Sequence, residues 1–209
     1  MLKLRSFRMA FKMYQFFTRE DFPTQQFDYS DKTYKVGTGQ GAILQANDDY
    51  QNVLTTGLRT CVAFALINPA EKSALLIHFF NQSQIKSDLS KLVTSFIKNT
   101  ENKSELICLI AGGRAFNDAS EGMCDLLIKY VKEELLKLTS QIKLEINAPI
   151  VANDDDTLSL LIDLETGKSA MSFSDEESNQ DSELSLDKID FIDLRDSELP
   201  TLPMLFGCC

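Results

Sequence analysis

One histidine and no tryptophan occur among the 209 residues, and the five cysteines form no C-x-x-C pair. Without a second histidine or a C-x-x-C pair, a structural zinc site has too few ligands. An odd cysteine count in a chain this long also argues against a disulfide scaffold and for reduced thiols in a cytosol. No apolar run approaches the roughly 18 residues that a membrane-spanning helix requires, which predicts a soluble protein. Positive charge is scarce as well. Lys and Arg number 21 against 31 Asp and Glu, a formal net charge of −10, so phosphate-rich nucleic acid would be repelled.

What is present is a hydrophobic fraction of 44%, enough for one well-packed domain with something left over. The composition divides the chain into three parts. Residues 1–30 are basic and amphipathic; Arg8 and Lys12 interrupt the apolar core that a secretory signal needs, so a short helix docking on the domain is expected, with weak membrane-surface binding as the alternative. Residues 31–173 alternate strand-like and helix-like segments. Residues 174–209 form an acidic tail that cannot bury enough apolar area to offset its chain entropy, ending in a hydrophobic stretch with Cys208-Cys209.

Within the middle part, residues 61–68 are apolar on both faces and end at Pro69, as a fully buried central strand does, and residues 74–80 return as a second apolar strand. A hairpin would set these two side by side. Residues 42–45, 106–111, 142–147, 158–164 and 168–173 also read as strands, with Gly112-Gly113 closing the second of these. Gly37, Gly39 and Gly41 read as a bend before a strand; they lack the Lys and the spacing of a phosphate-binding loop. Helical spacing of apolar residues predicts an amphipathic helix over 87–98 and a longer one over 121–139, whose buried face includes Leu126, Leu127, Tyr130, Val131, Leu135 and Leu138. The sum is an α+β domain of mixed sheets and at least two helices.

The hairpin brings the only histidine, His78, onto the strand beside the one that Cys61 begins. An imidazole next to a thiol can take its proton and later hand it to a leaving group, which is the minimum equipment for thiol-based acyl transfer. Cysteines and histidines within buried strands also occur as ordinary core residues.

The surrounding residues favour the chemical reading. The segment Leu54-Thr55-Thr56-Gly57-Leu58-Arg59-Thr60-Cys61-Val62 resembles the signature of the CheD family of chemoreceptor glutamine deamidases, in which a Thr and then Gly-Leu-Gly-Ser-Cys-Val lead into a hydrophobic strand. Thr55 stands six residues before Cys61 and His78 seventeen after it, as in that family. Val36-Gly37, His78-Phe79, Ile110-Ala111-Gly112-Gly113 and the Asp163 to Gly167 turn resemble further family segments in the same order. The resemblance covers about 140 residues. A more distant relation to the catalytic domain of cytotoxic necrotizing factor is implied by the same fold.

The resemblance implies a nucleophile at Cys61, a general base and acid at His78, and Thr55 orienting the imidazole, with no cofactor and no metal. The implied reaction converts a glutamine side chain of a partner protein to glutamate and ammonia, with the oxyanion held by backbone N–H groups around Thr60 and Cys61. A catalytically silent CheD-like binding module and a transglutaminase using the same thioester are the alternatives. Arg59-Thr60 replaces the family's Gly-Ser, and Phe80-Asn81 follows His78-Phe79 where the family has Met-Leu-Pro, so the substrate groove is expected to differ. The acidic tail resembles translocation signals of type IV effectors, and Cys208-Cys209 resembles a prenylated terminus. The expected location is the bacterial cytoplasm, with a host cytosol as the alternative destination.

Overall fold

The computed structural model describes residues 15–16, 32–101, 105–114, 117–138, 143–146, 150–152, 156–175 and 192–193. All of the N-terminal helix expected over residues 1–20 except Gln15–Phe16, most of the acidic tail and the Cys208-Cys209 terminus lie outside the described residues.

Twelve strands, two long helices and three short helical turns (Pro69–Glu71, Val131–Leu135 and Leu136–Leu138) occur among them, an α+β fold. The strands are β1 (Gln15–Phe16), β2 (Thr33–Val36), β3 (Gly41–Gln45), β4 (Asn52–Leu58), β5 (Val62–Asn68), β6 (Ser73–Phe79), β7 (Glu105–Arg114), β8 (Lys143–Ile146), β9 (Ile150–Ala152), β10 (Asp156–Asp163), β11 (Ser169–Asp175) and β12 (Ile192–Asp193). Helix α1 is Gln82–Asn99, and α2 is Asp118–Tyr130, continued by a π-helical turn over Val131–Leu135. Seven strands form a mixed sheet in the order β1-β9-β7-β5-β6-β3, with β8 also paired to β7. The other five form a second sheet in the order β12-β11-β10-β4-β2.

The pattern of side chains explains the layering. Strands β5 and β6 are buried at every position, and their alternate residues face opposite ways. Ala63, Ala65, Ala74 and Leu76 point toward the second sheet and pack with Val53, Leu158, Leu160 and Met171. Phe64, Leu66, Leu75 and Ile77 point away and are covered by Ile85, Leu89, Val93 and Phe96 of α1 and by Met123 and Leu127 of α2. The domain is therefore three layers deep: helices, seven-stranded sheet, five-stranded sheet. No described helix is long and apolar enough to cross a membrane.

The 61–68 and 74–80 runs do form the expected antiparallel hairpin, with Val62 opposite Phe79 and Ala63 opposite His78. Several expectations need correction. Helix α1 starts five residues before Ser87, because the Asn81 side chain caps the N–H of Gln84. Gly112 and Gly113 do not end β7, which continues to Arg114 with both glycines at positive φ. Leu138 is exposed although helical spacing puts it on the buried face; the wider π turn before it delays the phase of everything that follows. The sequence pattern predicts none of β2, β4 and β9. Gln15–Phe16 pair as a strand with Ile150–Val151, where a helix was expected, and Ile192–Asp193 of the acidic segment pair with β11, which itself runs to Asp175.

Candidate functional site

Cys61 sits just before β5 and His78 near the end of β6. His78 is directly opposite Ala63, and Cys61 is two residues before Ala63, so both belong to the face that looks into the space between the sheets. Across a sheet such a diagonal pair has Cα atoms about 7–8 Å apart, within reach of a ring. His78 is fully buried and Cys61 is partly exposed.

The third expected residue arrives from the opposite sheet. Strand β4 carries Thr55 inward on the same face as Val53, and the Thr55 hydroxyl lies 2.8 Å from His78 Nδ1. The same hydroxyl donates to the Val36 carbonyl at 2.9 Å. Parallel pairing of β2 with β4 puts Val36 alongside Thr55. A hydroxyl has one proton. Since that proton goes to Val36, the contact with the ring must run from Nδ1–H to the Thr55 oxygen, which leaves Nε2 bare and basic. His78 Nε2 has no hydrogen-bond partner among the described residues.

A bulge shapes the approach to Cys61. Thr55 pairs with Leu160 and Leu58 with Leu158, so Thr56 and Gly57 together oppose Ser159. Gly57 takes up the extra residue at φ 77°, with open space where a Cβ would stand. The bulge changes the parity of the strand, turning Leu58 into the core and sending the chain back toward Cys61.

His78 is also held by its own backbone. Its N–H donates to the Gln40 carbonyl and its carbonyl accepts from the N–H of Gly39, both at 2.9 Å. Gln84 of α1 extends this clasp, donating to the Gly39 carbonyl at 2.8 Å and accepting from the Phe80 N–H at 3.3 Å. The glycine bend read from the sequence thus wraps the histidine, and half-exposed Phe80 lies against Gly39 at its rim.

Both candidate reacting groups are neutral at rest. Burial pulls the His78 imidazole down to about 4. Burial pushes the Cys61 thiol up, partly offset by a side-chain hydrogen bond from Thr60. Thr60 favours the thiolate but burial outweighs it, and His78 Nε2 has no partner among the described residues, so the resting state is a neutral thiol and a neutral imidazole and not a preformed thiolate–imidazolium pair. Proton transfer must then accompany attack on an electrophile. Cys108 of β7 and Cys124 of α2 are in no disulfide and are buried between the helices and the other face of the large sheet, away from this chemistry.

Of the three residues to which the resemblance pointed, the structure joins Thr55 to His78 by a hydrogen bond and sets Cys61 on the same sheet face. Sequence reasoning missed the Val36 carbonyl, which sets the hydroxyl, and the Gln84 clasp; the Val36-Gly37 pair ahead of the glycine bend was the only signal for either. No family model and no curated protein matches the chain, so the case for a function rests on these contacts.

Proposed function

We propose that the chain is a protein-glutamine deamidase of the CheD-like type, with Cys61 as nucleophile, His78 as base and acid, and Thr55 holding the ring. The Thr55–His78 hydrogen bond carries this reading. It fixes the tautomer and leaves a buried, unpartnered Nε2 on the sheet face that Cys61 shares. Buried polar atoms without partners are rare, and a histidine kept only for packing gains nothing from one.

In the first half-reaction, Nε2 takes the thiol proton as sulfur attacks the glutamine carboxamide carbon. Backbone N–H groups beside Cys61 stabilise the oxyanion. The C–N bond breaks and ammonia leaves with the proton from Nε2, giving a thioester. In the second, Nε2 removes a proton from water, hydroxide adds to the thioester, and the thiol leaves with its proton restored. The partner protein gains one negative charge. That partner is a chemoreceptor or, after injection, a host protein.

A second reading, a binding module with an idle Cys/His pair, draws on the absence of a Cys61–His78 hydrogen bond and on the neutral state of both groups. Mass spectrometry of candidate partner proteins incubated with the full chain separates the two. Deamidation raises the mass of one glutamine-containing peptide by about one dalton and disappears in Cys61→Ala. A partner retained on the chain with every glutamine intact supports the module.

A further inference from the structure

The backbone around Cys61 is pinned from two sides. Its own carbonyl accepts from the Gly113 N–H at 2.7 Å, and a Cβ at Gly112 would fall 2.7 Å from that oxygen. The preceding carbonyl, of Thr60, accepts from the Ser120 hydroxyl at 3.0 Å. Ser120 is buried in the first turn of α2, where its N–H donates to the capping Asn117 side chain at 3.0 Å. One strand and one helix therefore fix the two carbonyls that flank the nucleophile's N–H.

A trans peptide sends its C=O and its N–H in opposite directions. With the Thr60 oxygen turned toward Ser120, the Cys61 N–H is turned away from α2, and it makes no hydrogen bond among the described residues. That is the donor an oxyanion forming on the carbon attacked by Cys61 would use. Its direction is set by Ser120.

We propose that Ser120 is a positioning residue for acyl transfer at Cys61: by holding the Thr60 carbonyl it aims the Cys61 N–H at the developing oxyanion. The inference rests on the thiol-acylation chemistry of the proposed deamidase and reaches beyond it to a residue outside the Thr55, Cys61 and His78 set. Ser120→Ala keeps the Cβ that packs beside Gly113 and removes only the anchor.

The test uses two probes on the full chain, each rate taken as its difference from Cys61→Ala. Alkylation by iodoacetamide at alkaline pH displaces iodide at an sp³ carbon and forms no oxyanion. Acylation by p-nitrophenyl acetate does form one: sulfur adds to the ester carbonyl, the thiol proton goes to His78, and p-nitrophenolate leaves. In Ser120→Ala the acylation rate should fall about tenfold or more, short of the roughly 100- to 1,000-fold that outright loss of an oxyanion donor costs, while alkylation is unchanged. Equal falls in both rates would make Ser120 merely structural, and no fall in either, or a wild-type Cys61 that alkylates but never acylates, would equally overturn the proposal. The underlying reading fails separately: a selective acylation defect with no deamidated glutamine in any partner keeps Ser120 and removes the deamidase. Deamidation that is indifferent to Ser120→Ala does the reverse.

Discussion

Thr55 and His78 belong to different sheets, yet the hydroxyl of one lies 2.8 Å from the ring of the other, and the same hydroxyl reaches the Val36 carbonyl. The chain of contacts is directional. Val36 can only accept, Thr55 can donate only once, and so the ring must donate from Nδ1. Sheet stacking has thereby selected a tautomer, which isolated strands could not do.

Thr55→Val should break that relay at nearly constant volume. It strands Nδ1–H and the Val36 carbonyl in a buried space, at a cost of about 1–3 kcal/mol measurable by urea unfolding. On the proposed mechanism deamidation should fall roughly 10- to 100-fold as His78 loses its orientation, whereas Thr55→Ser keeps the hydroxyl and most of the rate. Because the protein has one histidine, nitrogen NMR of labelled imidazole reads the tautomer directly. An unchanged Nδ1–H signal in Thr55→Val would contradict the relay.

Acid should destabilise the fold through His78. The ring titrates near 4 when folded and near 6.5 in an unfolded chain, so between those values the unfolded state binds more protons. Stability is fully present above about 6.5 and is lost as pH falls toward 4, by up to about 3 kcal/mol. His78→Gln shares every carboxylate with the wild type, so the difference between their unfolding free energies across this window isolates the ring. A difference that stays flat would mean the imidazole is already solvated or paired in the native state.

Much of this arrangement is legible in the sequence, and the limits are physical. Residues 62–68 and 73–79 are apolar at nearly every position and separated by Pro69, so their pairing needs no knowledge of the rest of the chain, and with it comes the neighbourhood of Cys61 and His78. Strand β4 is harder to see. Its alternation is broken by the Thr56-Gly57 bulge, and Thr55 acquires meaning only when the second sheet stacks on the first. Ser120 reads as a polar residue near a helix start and nothing more, because its partner, the Thr60 carbonyl, is 60 residues away in the chain.

Thr60 should tune the thiol. Its side chain hydrogen-bonds the Cys61 sulfur and favours the thiolate, against the larger effect of burial. Thr60→Val removes the donor at an exposed position where little stability is at stake. The pH midpoint of Cys61 alkylation should move upward, with the limiting rate at high pH unchanged. A midpoint that stays in place or moves down would show that the hydroxyl does not support the thiolate.

Two glycines near the site make opposite predictions although both have positive φ. Gly57, at φ 77°, has open space around its missing Cβ, so Gly57→Ala should cost only the left-handed backbone penalty of about 1–2 kcal/mol and leave activity largely intact. Gly112, at φ 95°, would place a Cβ 2.7 Å from the Cys61 carbonyl oxygen and 2.8 Å from Leu58 Cβ, neither of which is the yielding end of a flexible chain. Gly112→Ala must therefore push the Cys61 backbone off the Gly113 N–H as well as strain its own φ, for a loss of about 3 kcal/mol or more and a matching collapse of Cys61 acylation. Thermal unfolding and acylation rates of the two variants check this together. If Gly112→Ala proves as mild as Gly57→Ala, β7 does not hold Cys61 in place, and its pinning would reduce to the single anchor at Ser120.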